Sequence, residues 1–320
     1  MNRRYATADV FTERMFGGNP LAVVLDAERL STAEMQAIAL EFNYSETTFV
    51  LAPDEPSHTA KVRIFTPRVE VPFAGHPNVG TAFLLARESR YAAEVSGGTF
   101  VFEEAAGLVP LTLIRERGRV VGSELCAPEG LSRRSMVSAQ IAAVCLSLDA
   151  GDIATQTHAP QVISVGLPFL AVELRSRDAL RRSKPNIAAH AELLPLDGAD
   201  AIFAYWRAAD ESDAASESVL HARTFSPLDG VIEDPATGSA CAAAITLLAT
   251  LAAGTAAAAG ATAAPGTSGA LHERAWRIHQ GVDMGRPSLL IGRTVSRDGA
   301  VIGTHIGGRC VAVLEGSFEL

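Results

Sequence analysis

Short apolar runs bounded by turn residues dominate the chain, and only a few segments have helical spacing. The runs are rich in β-branched and aromatic side chains and lie between Gly, Pro, Asn and Asp, a pattern that predicts strands. They occupy residues 21–24, 48–51, 61–65, 109–114, 162–165, 170–174, 201–205 and 311–314. Because the strands often follow one another without an intervening helix, we expect an α+β fold with mostly antiparallel or mixed sheets rather than a doubly wound parallel sheet.

Helical spacing is found at residues 32–42, 78–86, 136–146 and 239–251. The first of these helices has Ser31 or Thr32 as its N-cap and Glu34 in its first turn. For the second helix, we place Pro77 directly before this spacing, at the first helical position, where proline is tolerated. The second and fourth helices are apolar, so we expect each to form the core of one sheet.

Two motifs recur in the same order along the chain. The sequence RIFTP at residues 63–67 returns 160 residues later as RTFSP at 223–227. Upstream of it, GNPLAVV at 18–24 resembles GLPFLAV at 166–172. Such repetition indicates a duplicated structural unit. A turn-rich stretch at 127–130 predicts the boundary, which gives halves of 1–126 and 127–320, with the last strand able to pack back on the first half.

Composition narrows the class of protein. Of 320 residues, 48% are apolar, which is enough for a packed core, and 27 Lys+Arg against 36 Asp+Glu give a net charge of −9. An acidic chain without a basic run is a poor nucleic-acid binder. The four cysteines show no CxxC spacing, and the N-terminus lacks the apolar segment of a signal peptide. We therefore expect a reduced, soluble, cytoplasmic protein.

One low-complexity segment, residues 251–269, is rich in Ala, Gly and Thr. Its first part can extend the preceding helix, and the remainder predicts a surface loop. Gly254, Gly260 and Pro265 disfavour a membrane span there.

Candidate chemistry concentrates at two helix starts. Gly75 and His76 open one apolar helix, and residues 234–239 lead into the other. A helix N-terminus offers free N–H groups and a positive dipole end, so it binds carboxylates or developing oxyanions. If the two halves pack as related units, both helix starts can face one cleft, where small ligands tend to bind.

Glu46 adds a carboxylate between a helix and an apolar strand. Partial desolvation there would raise its pKa and suit it to acid–base catalysis near neutral pH. Each residue also has a purely structural interpretation: Glu46 as a turn residue, His76 as a packing residue, Asp234 as a turn residue before proline, and Ser239 as a helix cap. The residues alone therefore indicate only an anion-binding cleft with acid–base groups.

The motifs taken together are more specific. They resemble the PhzF-like family of phenazine-biosynthesis-type isomerases, within the diaminopimelate-epimerase-like superfamily. The resemblance is carried by DVFT at 9–12, FGGNPLAVV at 16–24, SETTFV at 45–50, RIFTP at 63–67, PFAGHP at 72–77, GVIEDPATGSA at 230–240 and QGVDMGRPS at 280–288. It implies two related domains, each a curved sheet wrapped around a central helix, with the active site between them.

The resemblance also implies roles. Glu46 corresponds to the family's acid–base glutamate, and His76 and Asp234 to its other catalytic residues; the substrate-binding positions fall on Asn19, Gly75, Gly238 and Ser239. The implied activity is a cofactor-independent isomerisation, in which a proton moves between carbons of a small, cyclic carboxylate. No metal or organic cofactor, nucleic acid or membrane is expected, and a homodimer is consistent with the family. Neither the actual substrate nor a link to phenazines follows from the motifs.

Two alternatives stay open at this point. Related racemases and epimerases use a pair of cysteines, one at each helix start, whereas the matching positions here hold Ala74 and Asp234-Pro235. Cys241 is the remaining thiol close to a helix start, and we expect it in the core. The second alternative is a small-acid binding protein that keeps the cleft without the chemistry.

Overall fold

The computed structural model describes residues 2–207, 217–258, 269 and 271–320. The chain divides into two compact units. The first comprises Met1–Cys126, Gly285–Leu289 and Gly307–Leu320, and the second comprises Ala127–Met284 and Leu290–Ile306. The predicted surface loop in the second part of 251–269 falls on residues 259–268 and 270, which lie outside the described residues.

Strands and helices are numbered along the chain. Up to residue 126 they are β1 (Asn2–Val10), β2 (Asn19–Val24), α1 (Thr32–Phe42), β3 (Glu46–Leu51), β4 (Ala60–Phe65), β5 (Glu70–Val71), α2 (Gly75–Leu85), α3 (Ala92–Gly97), β6 (Thr99–Glu104), β7 (Gly107–Glu116) and β8 (Arg119–Cys126). Beyond it they are β9 (Ser132–Met136), α4 (Ala139–Cys145), β10 (Gln161–Ser164), β11 (Pro168–Glu173), α5 (Arg177–Arg182), α6 (Ile187–Leu193), β12 (Ile202–Arg207), β13 (Glu217–Ser226), β14 (Val231–Asp234), α7 (Gly238–Ala258), β15 (Leu271–Gln280), β16 (Ser288–Arg297) and β17 (Ala300–Glu319).

In the first unit the strands form a closed ring around α2. The order is β1–β2–β3–β4–β6–β7–β8, with parallel pairing at β2–β3 and β4–β6 and antiparallel pairing elsewhere. The last strand, β17, pairs with both β1 and β8 and so closes the ring. All eleven residues of α2 are buried. A helix that is enclosed on every side has no polar face toward solvent, and its polar residues His76, Asn78 and Thr81 are buried with the others.

The second unit repeats this topology. Strands β10–β11–β12–β13–β15 pair in the order antiparallel, parallel, antiparallel, parallel, which is the order of β1–β2–β3–β4–β6 in the first unit. The short strands β5 and β14 occupy the same place in each unit, antiparallel to β4 and β13. The repeated motifs RIFTP and RTFSP end β4 and β13. Helix α7 contacts β10, β11 and β15, as α2 contacts the strands of its own unit. The predicted fold class, two related units with mixed sheets and a central helix each, is confirmed.

The outer faces of the sheets carry the remaining helices. In the first unit, α1 packs Met35, Ile38 and Ala39 against Phe49 and Phe65 of the sheet. In the second, α4, α5 and α6 cover a cluster of apolar side chains from β10, β11, β12 and β13. None of the helices in the described part of the chain is long and apolar enough to span a membrane.

The observed helix boundaries show which helix starts are determined by neighbouring residues and which depend on the tertiary structure. Helix α1 spans Thr32–Phe42 as predicted, because Ser31 and Glu34 form a reciprocal capping box. Helix α2 instead begins at Gly75, three residues before the predicted start, so Pro77 is the third helical residue rather than the first. Helix α4, by contrast, begins three residues later than predicted, at Ala139. The side chain of the preceding residue, Ser138, accepts a hydrogen bond from the Ile141 N–H.

Candidate active site

Three predicted residues of the first unit meet at the start of α2. Glu46 opens β3, His76 is the second residue of α2, and Asn19 opens β2. The Glu46 Oε2 and His76 Nε2 atoms are 3.4 Å apart, and on the other side of the ring Asn19 Nδ2 is 3.3 Å from His76 Nδ1. The parallel pairing of β2 with β3 brings Asn19 and Glu46 to the same end of the sheet. The structure therefore brings Glu46, His76 and Asn19 together at one helix start.

The imidazole of His76 is neutral. Its side chain is only 5% exposed, and burial lowers its pKa to about 3. The Ser45 hydroxyl donates to Asn19 Oδ1 at 3.5 Å, so the Asn19 amide nitrogen is the atom that donates to His76 Nδ1. The proton of the neutral ring is then on Nε2, where it faces Glu46. A chain of donors thus runs from Ser45 through Asn19 to His76, whose Nε2 lies 3.4 Å from the Glu46 carboxylate without a hydrogen bond between them.

Glu46 keeps part of its side chain open. Its side chain is 20% exposed, whereas His76 and Asn19 are buried. A carboxylate with one oxygen against a fixed N–H donor and some surface accessible can take a proton from a bound molecule and return it. This combination of a held and an accessible carboxylate is what carbon acid–base chemistry requires.

Helix α2 presents backbone donors beside this pair. Its N-cap residue, Ala74, has no side chain able to accept from the first-turn N–H groups. Those groups and the positive end of the helix dipole favour an anion at Gly75 and His76. The close approach is aided by the small residues Ala74 and Gly75, both of which are buried.

The loop before Asn19 is fixed by a residue distant in sequence. The Arg286 guanidinium donates to Asp9 Oδ1 at 2.6 Å and to the carbonyls of Gly17 and Gly18 at 2.8 and 2.9 Å. Asp9 Oδ2 in turn accepts from the Phe16 N–H at 2.6 Å. The motif residues at 9–18 and 286 therefore serve to hold the entry to β2, and through it Asn19.

In the second unit, Asp234 ends β14 and lies before α7. Its Oδ2 accepts from the Thr237 hydroxyl at 2.5 Å. Gly238 and Ser239 are the first two residues of α7, and the side chains of Asp234 and Ser239 are half-buried. Ser239 is therefore inside the helix rather than its cap, in contrast to the structural interpretation that the sequence allowed.

Thr237, rather than Asp234, immediately precedes α7, as Ala74 immediately precedes α2. The sequence matched Ala74 and Asp234-Pro235 to the cysteine positions of the related racemases, and α7 begins three residues after Pro235. Both units thus lack a cysteine at the position before the central helix.

Gln280 holds this second helix start and was not predicted to do so. Its side chain is fully buried at the end of β15. Oε1 accepts from the Thr237 N–H at 3.1 Å, and Nε2 lies 2.9 to 3.1 Å from three acceptors, the Asp234 carbonyl and the hydroxyls of Thr224 and Thr237. Gln280 begins a motif already noted in the sequence, but only the structure joins it to Asp234 and Thr237.

Replacing Gln280 with Leu should lower the free energy of unfolding by about 2–4 kcal/mol, because the buried Thr237 N–H and Asp234 carbonyl would lose their partner. Urea unfolding followed by circular dichroism measures this loss. Gln156→Leu, at an exposed position in the same unit, is the control. Equal unfolding midpoints for the two variants would contradict the role assigned to Gln280.

Comparison with known proteins agrees with this architecture. The family model described as phenazine biosynthesis-like protein matches residues 8–316. An uncharacterized isomerase of Mesorhizobium japonicum is 37% identical over 316 residues, covering 98% of each chain. The trans-2,3-dihydro-3-hydroxyanthranilate isomerase of Pseudomonas aeruginosa is 34% identical over 317 residues, again covering 98% of each chain.

A solved structure supports the fold. The Bacillus anthracis phenazine biosynthesis protein of the PhzF family superposes with a TM-score of 0.75 at 22% identity, and the match covers all of both chains. The family model, the relatives and this structure all match nearly the whole chain, so the resemblance is not confined to one motif or one unit. The chain therefore belongs to the phenazine biosynthesis-like, PhzF family of isomerases.

Proposed function

We propose that the protein moves a proton between two carbons of a small cyclic carboxylate, with Glu46 as the acid–base group. The observation that carries this proposal is the 3.4 Å approach of the Glu46 carboxylate to the neutral, buried imidazole of His76. A single carboxylate that lies beside a fixed, neutral imidazole and is still partly accessible is suited to remove a proton from one carbon and return it to another.

The mechanism assigns a separate task to each group. The Glu46 carboxylate takes the proton, and the substrate becomes a delocalised anion. The His76 Nε2–H faces the site of this change and stabilises negative charge without itself giving up a proton, because the ring is neutral. The first-turn N–H groups of α2 bind the substrate carboxylate. The protonated Glu46 then returns the proton to a second carbon, which completes the isomerisation with no net change in the enzyme.

Asp234 is proposed as the other catalytic residue, with Gly238 and Ser239 as substrate contacts. The support is that the Asp234 carboxylate is fixed in position. It accepts from the Thr237 hydroxyl, and Gln280 binds the backbone at both ends of the turn, at the Asp234 carbonyl and the Thr237 N–H. A carboxylate fixed in this way can orient a polar substituent of the substrate. A homodimer and a cytoplasmic location are kept as expectations from the sequence.

The substrate of the Pseudomonas relative, trans-2,3-dihydro-3-hydroxyanthranilate, is the natural first probe, because it is a small cyclic carboxylate and the enzyme that acts on it is 34% identical. Incubation of the protein with this probe substrate should consume it faster than an enzyme-free control, as followed by absorbance and mass spectrometry. If it is not consumed, a panel of cyclic and acyclic carboxylates screened for deuterium uptake from heavy water defines the class. Tight binding across that panel without any turnover or deuterium uptake would favour a binding protein instead.

A two-thiol racemase is disfavoured by the surroundings of Cys241. Its side chain is fully buried inside α7, its Sγ lies 3.6 Å from Gln280 Oε1, and burial raises the pKa of the thiol. A thiol in this state is a poor base. Cys241→Ser should therefore retain turnover within about threefold, since the hydroxyl can still donate to Gln280. A loss of activity at unchanged thermal stability would support the racemase alternative.

A further inference from the structure

Glu104 is a half-buried acid at the end of β6, and its carboxyl group lies next to Asn78 in the first turn of α2. Both of its carboxyl oxygens are shielded from solvent, and within the described residues neither has a hydrogen-bond partner. The Oδ1 atom of Asn78, on α2, is in the same situation. The Asn78 amide lies next to the Glu104 carboxyl and acts to lower its pKa. Three buried acceptor atoms therefore belong to one neighbouring pair of side chains.

The orientation of Asn78 decides which form of Glu104 fits. The Asn78 amide nitrogen donates to the Ala74 carbonyl at 3.0 Å, across the first turn of the helix. The amide keeps one further N–H donor, and its Oδ1 can only accept. An ionised carboxylate can accept the second amide N–H, but it has no donor to offer Oδ1. A protonated Glu104 has one O–H donor, which satisfies Asn78 Oδ1.

The second unit contains the same arrangement with an amide. In the register of β4 and β6, Lys61 lies opposite Glu103, so Glu104 is the next residue, opposite Val62. In the register of β13 and β15, Gln280 lies opposite Ala222. The repeated motif equates Val62 with Ala222, and therefore Glu104 with Gln280.

The partners of these two side chains correspond as well. Asn78 is the fourth residue of α2, and Cys241, whose Sγ contacts Gln280 Oε1, is the fourth residue of α7. In each unit, a polar side chain at the end of the equivalent strand, Glu104 or Gln280, thus lies next to the start of the central helix. A protonated carboxylic acid has nearly the shape of the amide and, like it, one donor side and one acceptor side.

We propose that Glu104 is a positioning residue: in its protonated form it holds the first turn of α2 through Asn78, as Gln280 holds the start of α7, and so fixes His76 against Glu46. The expected effect of Glu104 on turnover rests on the proposed function, whereas the protonation state of Glu104 does not. Ionisation of Glu104 would remove the donor and loosen the turn that carries His76.

The electrostatic surroundings support a protonated acid. Burial raises the pKa of Glu104 to about 8, against the opposing effect of the Asn78 amide. Charged side chains of the neighbouring strands are engaged in pairs of their own, and His76 on α2 is neutral. These pairs are Lys61 with Asp54, Arg63 with Glu70, and Glu103 with His58.

Stability against pH tests the protonation state without any substrate. Because the pKa is raised in the folded protein, Glu104 contributes stability that is complete below the unfolded pKa of about 4.3 and is lost as the pH rises to about 8. Relative to Glu104→Gln, the unfolding equilibrium constant of the wild type should rise about tenfold per pH unit between pH 5 and 7.5. Glu192→Gln, at an exposed position, should follow the wild type. Parallel curves for the wild type and Glu104→Gln would overturn the proposal.

Turnover of the probe substrate against pH tests the positioning role. The wild type should lose kcat above pH 8 by about tenfold per pH unit, whereas Glu104→Gln should keep its neutral-pH kcat across this range. Glu104→Leu should lose kcat at least about tenfold, with KM little changed, because the turn is misplaced rather than the substrate site removed. An alkaline limb that persists in Glu104→Gln would overturn the positioning role. The unfolding measurement decides on protonation independently, so failure of the proposed function is distinguishable from failure of this inference.

Discussion

Glu46→Gln is expected to lower kcat for the probe substrate by about 10³-fold, while its binding stays within about threefold of the wild type. Glutamine keeps the shape of the side chain and an oxygen for the His76 Nε2–H. It cannot accept a proton from carbon at any accessible pH. The loss should therefore fall on kcat and leave KM nearly unchanged. Steady-state kinetics and calorimetric titration with the probe substrate measure the two effects separately.

Glu41→Gln is the matched control for this experiment. Glu41 is exposed near the end of α1, five residues before Glu46, and the same substitution there should leave kcat unchanged. Wild-type kcat in Glu46→Gln would remove Glu46 from the chemistry. A loss of binding in proportion to the loss of rate would assign it to substrate binding instead.

Gly122→Ala is expected to destabilise the first unit by about 3 kcal/mol or more. A Cβ atom at this position would lie 1.9 Å from the Gly308 carbonyl oxygen and 2.9 Å from the Arg309 Cα. Both are backbone atoms of β17, and neither can rotate away as a side chain would. The pairing of β8 with β17 that closes the ring around α2 would have to open, which exposes the buried helix and the strand edges.

Thermal and urea unfolding of the purified variant measure this effect. Gly97→Ala, in α3 of the same unit, is the control, because a Cβ atom there meets nothing within 4 Å. Alanine should be neutral or slightly stabilising at that helical position. If the unfolding midpoints of Gly122→Ala and Gly97→Ala coincide, the ring does not depend on close contact between β8 and β17.

Elements with local signals could be predicted closely. Helix α1 was predicted to the residue because Ser31 and Glu34 cap it from within its own sequence. The start of α2 was missed because Gly75 and His76 are poor helix formers, and they become helical only inside the closed sheet. The strand β1 was missed as well: its sequence lacks the apolar alternation of the predicted strands, and its pairing with β2 and β17 decides its structure.

The candidate site likewise contains residues that could be predicted from the sequence and residues that could not. The motif resemblance identified Glu46, His76 and Asn19, and the structure brings these three together. Gln280 could not be predicted, because its partner Thr237 is 43 residues away and the contact depends on the register of β13 and β15. Glu104 shares this difficulty, since its position beside Asn78 depends on how β6 packs next to α2, and its equivalence to Gln280 depends on the strand registers. Long-range strand register is not encoded in the local pattern of apolar and polar residues.

Deuterium uptake from heavy water tests the central claim, proton transfer by Glu46, most directly. The probe substrate is incubated with the wild type or with Glu46→Gln in heavy water, and the recovered substrate and product are analysed by nuclear magnetic resonance and mass spectrometry. We expect the wild type to introduce deuterium at a carbon position above the enzyme-free control, and Glu46→Gln to match that control. Deuterium uptake by Glu46→Gln at the wild-type rate would contradict the account.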